Sequence, residues 1–185
     1  MGKRRPAARR RMELVKAAVL GLLQSAYEQR DEVGVIAFRG TQAEVLLPPT
    51  GSVEMADRAL RELPTGGRTP LAHALVTAGD VLRRARPDVP TLLVLLSDGK
   101  ANVPLPDTAG DPWQQALSAA QELAKEGRPA LVLDADAGFV RLGRAAELAQ
   151  ALGAECLPLD GLSAETLVLK VRQQWIESRR LGTRA

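Results

Sequence analysis

A chain of 185 residues with 45% hydrophobic and 25% charged content can bury one sizeable core and gives no sign of several domains. Its net charge of +3 is uneven: Lys3, Arg4, Arg5, Arg9, Arg10 and Arg11 fall in the first eleven positions, leaving 19 basic against 22 acidic residues in the rest. The body therefore lacks the basic excess of a nucleic-acid surface, and an aromatic content of 3% argues against base stacking.

The basic start runs into an apolar stretch, which superficially looks like a secretory signal. However, the uninterrupted apolar part is only "AAVLGLL", with Glu13 and Lys16 ahead of it, and Met12, Val15, Val19, Leu22 and Ala26 step by three and four. That spacing makes one face of an amphipathic helix, so a cytoplasmic protein is expected. Residues 1–11 read as a basic tail, 12–178 as the domain and 179–185 as a second tail. No run of about 18 apolar residues offers a membrane span.

"VGVIAF" (33–38) reads as a buried strand, and "AEVLLP" (43–48) as an edge strand closed by Pro48 and Pro49. A helix follows from Ser52 to Leu63, with Ala56, Ala59, Leu60 and Leu63 on one face. Another runs from Pro70 to Arg86, after which Pro87 and Pro90 break the chain. "TLLVLLS" (91–97) is the most apolar run, too short for an independent helix, and its expected role is a central parallel strand covered on both faces. Then come a helix at 113–126 ending in Gly127, the strand "ALVLDA" (130–135) and a helix at 143–152 ending in Gly153. The short strand "ECLPL" and a last helix from Ser163 to Ser178 complete the chain. Such alternation predicts an open α/β sheet with helices on both faces.

Ligands of such sheets sit outside the carboxyl ends of the strands. "LLSDGKAN" delivers Asp98 there, followed by a glycine that lets the chain turn sharply; its carboxylate can serve a ligand or cap its own turn. "PTGGRTP" places Thr69 at a helix N-cap and Pro70 at the first helical position, behind glycines that let backbone approach a ligand. The Thr69 hydroxyl can cap its own helix or face the crevice. No lysine follows the glycines in the frame of a Walker phosphate loop, and a dinucleotide fingerprint is absent.

Other conspicuous residues read as ordinary. His73 lies two positions from Leu71, about 200° around the helix from its apolar face, and is expected to be exposed. Asp134 and Asp136 in "LDADAG" could supply a second carboxylate pair at a strand end, against solvated loop acids. Asp107 and Asp111 sit in a Pro/Gly-rich loop, and Trp113 and Trp175 are expected to pack. The lone Cys156 cannot form an internal disulfide and suits a buried strand position in a reducing compartment.

Taken together, "LPTGGRTPLAHAL" and "LLVLLSDGKANVPL" resemble, in order and spacing, the von Willebrand factor A-type domain of the magnesium chelatase D subunit and its cobalt-chelatase relatives. "RRRMELVKAAVLGLLQSAYEQRDEVGVIAFRG" resembles the family's first helix and second strand, and "GFVRLGRAAELAQALGAECLPLDGLSAETL" its last third. The resemblance implies a Rossmann-like three-layer α/β domain, its mostly parallel sheet having helices on both faces. It also implies a metal-ion-dependent adhesion site, in which an Asp-x-Ser-x-Ser motif joins a Thr, here Thr69, and an Asp, here Asp98. The cofactor implied is Mg2+, and the function is docking without catalysis. The partner implied is an AAA+ chelatase motor subunit, or another chelatase subunit, during insertion of Mg2+ or Co2+ into a tetrapyrrole.

The sequence departs from the family: no D-x-S-x-S occurs, the first central strand that should carry it is missing, and the N-terminal AAA+ domain and acidic, Pro-rich linker usual in the D subunit are not in this sequence. Met1 is expected to be the methionine that follows this motif, the start being assigned late or the chain being a fragment. The site is then incomplete, and Mg2+ binding by Thr69 and Asp98 alone is expected to be weak or absent. The competing readings are a small metal- or nucleotide-dependent enzyme using Asp98, Asp134 and Asp136, and a nonfunctional gene fragment.

Overall fold

Apolar spacing along the chain sets out eleven elements in the computed structural model, which describes residues 4–61, 67–86, 88–136, 143–159 and 161–182. They are α1 (Arg4–Gln29), β1 (Val33–Arg39), β2 (Gln42–Thr50), α2 (Val53–Arg61), α3 (Leu71–Arg84), β3 (Leu93–Ser97), α4 (Pro112–Lys125), β4 (Ala130–Asp134), α5 (Arg144–Leu152), β5 (Glu155–Pro158) and α6 (Ala164–Gly182). Helix α1 starts at Arg4, before the expected Met12, and α6 continues to Gly182, past Ser178. The expectations placed on Met1, Lys3, Leu63, Gly66 and Pro87 lie outside the described residues.

The strands form two sheets. β1 and β2 pair antiparallel, while β3, β4 and β5 pair in parallel in that order. Pro48 and Pro49 lie inside β2, not at its end, between the pairs Val33–Thr50 and Val35–Leu47 where the register slips. A bulge tolerates residues without an N–H there, and β2 has no other strand partner among the described residues.

Residues alternate between two helical layers, as a strand period of two requires. Val132 and Leu95 face a core made with Leu71, Leu75, Trp113, Ala116 and Leu148 of α3, α4 and α5. Leu131, Leu133, Val94 and Leu96 face the opposite side, with Leu167 and Val171 of α6 and Leu22 of α1. Val19, Leu20 and Leu23 of α1 also pack with Val33, Val35 and Leu47 of the hairpin, so one helix spans both sheets. α1 passes α6 closely: a Cβ built on Gly21 would lie 2.9 Å from a methyl of Val168. The Trp175 indole at the other end of this contact donates to Asp31 at 3.1 Å.

One sequence expectation is corrected here. The most apolar run does not become the central strand: among the described residues β3 has only β4 beside it, and Leu93, Val94 and Leu96 stay half-buried. β4, between β3 and β5, is the fully covered strand, with Leu131 and Val132 at 0% exposure. Burying each such side chain contributes about 1.5–3 kcal/mol.

Candidate functional site

Parallel strands β3, β4 and β5 end level with one another, Ser97 being opposite Asp134 and Asp134 opposite Pro158. Asp98 therefore leaves the sheet on the same rim as Asp134. The turn after β3 is held at several points. Ser97 Oγ accepts from the Gly99 N–H at 3.1 Å, and the Ala135 N–H donates to the Ser97 carbonyl at 2.9 Å. Gly99 has φ +72°, and a Cβ there would stand 2.7 Å from the Arg144 Cβ, so glycine is required both by conformation and by the close approach of α5.

Asp98 is partly covered, its side chain retaining 35% exposure. Its Oδ1 accepts from the Lys100 N–H at 3.2 Å, and its Oδ2 is paired with the Lys100 ammonium. Of the two roles open to Asp98, the turn-capping one is thus populated here. The same side chain keeps charge and oxygen lone pairs at the strand ends.

Thr69 was expected at the N-cap of the following helix, and the structure shifts this by one residue. Pro70, with ψ 63°, is the N-cap and α3 begins at Leu71. The Pro70 carbonyl accepts the first helical bond, from the Ala74 N–H at 3.0 Å. Thr69 makes no capping bond, and among the described residues nothing engages its hydroxyl. Its backbone instead meets the loop after β3: the Thr69 N–H donates to Asn102 Oδ1 at 2.7 Å, and the Asn102 N–H donates to the Thr69 carbonyl at 3.2 Å. The loops of Thr69 and Asp98 are therefore adjacent.

Asp134 and Asp111 make local bonds of their own. Asp134 Oδ1 accepts from the Asp136 N–H at 2.8 Å, a local turn, and Asp111 caps α4 by accepting from the Gln114 N–H at 2.9 Å. Among the described residues no three His, Cys, Asp or Glu side chains gather in a way that could hold a metal ion. Cys156 is half-buried on β5, and burial first, then the Asp134 charge, pushes its thiol pKa up. Trp113 is buried, donates to Glu147 Oε2 at 3.2 Å and carries the Arg144 guanidinium 5.2 Å from its ring centre.

His73 is corrected from its expected exposure: it is half-buried, and its Nδ1 accepts from the Ala43 N–H of β2 at 2.8 Å. The hairpin covers a side of α3 that the helical period alone left open. Asn102 and Lys100 were not anticipated from sequence. Asparagine in a loop signals side-chain-to-backbone bonding, but its partner lies 33 positions upstream.

The donor types suit a hard divalent cation, which takes oxygen ligands. Thr69 and Asp98 supply two such side chains, short of the roughly six positions to be filled, and Lys100 must leave Asp98 before a cation can take its place. The set fits in kind and leaves most of the shell to water or another molecule.

Comparison with known proteins matches residues 1–100 to the von Willebrand factor type A domain. The magnesium-chelatase 67 kDa subunit of Chlorobaculum parvum is 41% identical over 169 residues, 85% of this chain and 27% of that protein. An uncharacterized protein of Methanocaldococcus jannaschii is 34% identical over 165 residues, 87% of this chain and 93% of that one. The chain thus spans about a quarter of the length of its chelatase relative and nearly all of the archaeal one. Among solved structures, the vWF domain of a type V pili tip protein from Porphyromonas gingivalis superposes with a TM-score of 0.72 at 12% identity, covering 96% of this chain and 91% of that one. Manganese-loaded TRAP protein of Plasmodium vivax gives 0.63 at 18%, covering 87% and 65%. Fold, family model and relatives agree, and the chain belongs to the von Willebrand factor type A domain family.

Proposed function

We propose that this chain is a non-catalytic docking module of a chelatase D-type subunit, and that it engages an AAA+ motor subunit through a divalent cation at Thr69 and Asp98. The observation that carries the reading is the pair of hydrogen bonds joining the Thr69 segment to the loop after β3, beside the strand ends. Thr69 would contribute a neutral hydroxyl and Asp98 a charged carboxylate. The cation, Mg2+ by this reading, would supply a Lewis-acidic docking point for a partner's carboxylate.

The chain's own residues do the rest. Gly99 keeps the turn tight against α5, so Asp98 is presented at the rim and not folded back over the sheet. Lys100 neutralises Asp98 until a cation competes for it. The chelatase relatives support the class of assembly, and manganese in the TRAP protein supports a divalent ion on this fold. A cytoplasmic setting fits both. The reading is tested by measuring the affinity of the chain for a chelatase motor subunit in Mg2+ and in EDTA. Binding should be at least about tenfold weaker in EDTA or with Asp98→Ala, in line with loss of a charged, metal-bridged contact; binding indifferent to both overturns it.

A further inference from the structure

We infer that Asn102 is a positioning residue, a clamp that makes the Thr69 segment and the Asp98 turn one rigid unit; its use for cation binding rests on the reading of those two residues as one site. Thr69 and Asp98 reach the rim from different elements, and nothing in α3 or β3 alone fixes the distance between them. Asn102 supplies that link twice, once through its side-chain carbonyl and once through its backbone N–H.

The clamp is anchored at both ends. Ala101 packs against the core and Val103 is buried, so the backbone on either side of Asn102 is held. Pro70 and Leu71 are fully buried directly after Thr69. The Asn102 side chain itself is exposed, so it contributes little packing and its role lies in the bond it accepts. That bond goes to the N–H of the residue just before the Pro70 N-cap, in the segment that leads into α3. Asparagine and aspartate place an acceptor oxygen at this reach; alanine places none.

Amide hydrogen exchange on the isotope-labelled chain decides the role. In the unsubstituted chain the Thr69 and Asn102 amides should be protected to the same degree, as members of one opening unit. Asn102→Ala should speed exchange at Thr69 by about tenfold, the effect of one lost hydrogen bond, while the Val132 amide of β4 changes by less than about twofold. Asn102→Asp keeps the acceptor and should restore protection at Thr69. The inference is overturned if Thr69 exchanges as an unstructured peptide from the start, is unaffected by Asn102→Ala, or accelerates only in step with Val132. A Mn2+ titration separates this from the cation reading. In the parent chain Thr69 and Gly99 signals should broaden together, and in Asn102→Ala Thr69 should lag. Failure of Mn2+ to broaden either signal in the parent counts against the cation reading, whereas the exchange rates decide the role of Asn102 by themselves.

Discussion

Lys100 is paired with Asp98 Oδ2, and under the proposed reading a cation would compete for that oxygen. The pair is partly exposed, at 67% and 35% for the two side chains, so its strength is discounted to at most about 1 kcal/mol. Lys100→Ala should therefore tighten Mn2+ binding by roughly two- to fivefold, read from water-proton relaxation; weaker binding would contradict the competition. Cys156 gives a second test at this scale. Its thiol pKa is raised by burial and Asp134, so the folded state keeps the proton as pH passes the free-thiol value of about 8.5. Alkylation by iodoacetamide near that pH should be slower than in urea, and the contribution of Cys156 to stability should fall as pH rises through this range. Equal alkylation rates in folded and unfolded protein would contradict the shift. The nearness of Asp134 to Cys156 was not legible from sequence, because it is set by the β4–β5 register, in which Val132 lies opposite Cys156 and Asp134 opposite Pro158.

The joint between α3 and the hairpin depends on one side chain. His73 accepts the Ala43 N–H, and His73→Phe leaves that half-buried donor unpaired at a cost of about 1–3 kcal/mol in urea denaturation. An unchanged midpoint would show that water replaces it. Gly99→Ala should cost about 1–2 kcal/mol from its left-handed backbone alone, and more where the new Cβ meets Arg144; full stability in the same assay would contradict this. Element identity was legible almost throughout, since apolar period and Pro/Gly punctuation encode it locally. The positions of Thr69, next to a helix start, and Asp98, just past a strand end, were legible by the same local logic, within one residue for Thr69. What escaped were links between elements: the Asn102 clamp, the His73 acceptor and the edge position of β3, each set by chain segments far apart in sequence.

At the scale of the molecule, the feature with most consequence is the division into two sheets bridged by α1. β1 has no fully buried residue, and the side of β1 away from β2 meets no strand among the described residues. Backbone groups on such edges lack the pairing that protects β4. Exchange protection should therefore rank β4 above β3 and β3 above β1, and equal protection of β1 and β4 would show that the edges are covered in solution. The same incompleteness bears on function, because two protein side chains leave most of a cation's shell to other donors. Titration calorimetry on this chain alone should show weak Mg2+ binding, and a tight site would contradict the donor count.

The central claim is that a divalent cation settles between Thr69 and Asp98, and Mn2+ line broadening of amide signals tests it most directly. The account predicts that signals of Thr69, Gly99 and Lys100 broaden first, and that Asp98→Ala removes the effect. Broadening centred on another loop, such as that of Asp107 and Asp111, or broadening untouched by Asp98→Ala, would contradict it.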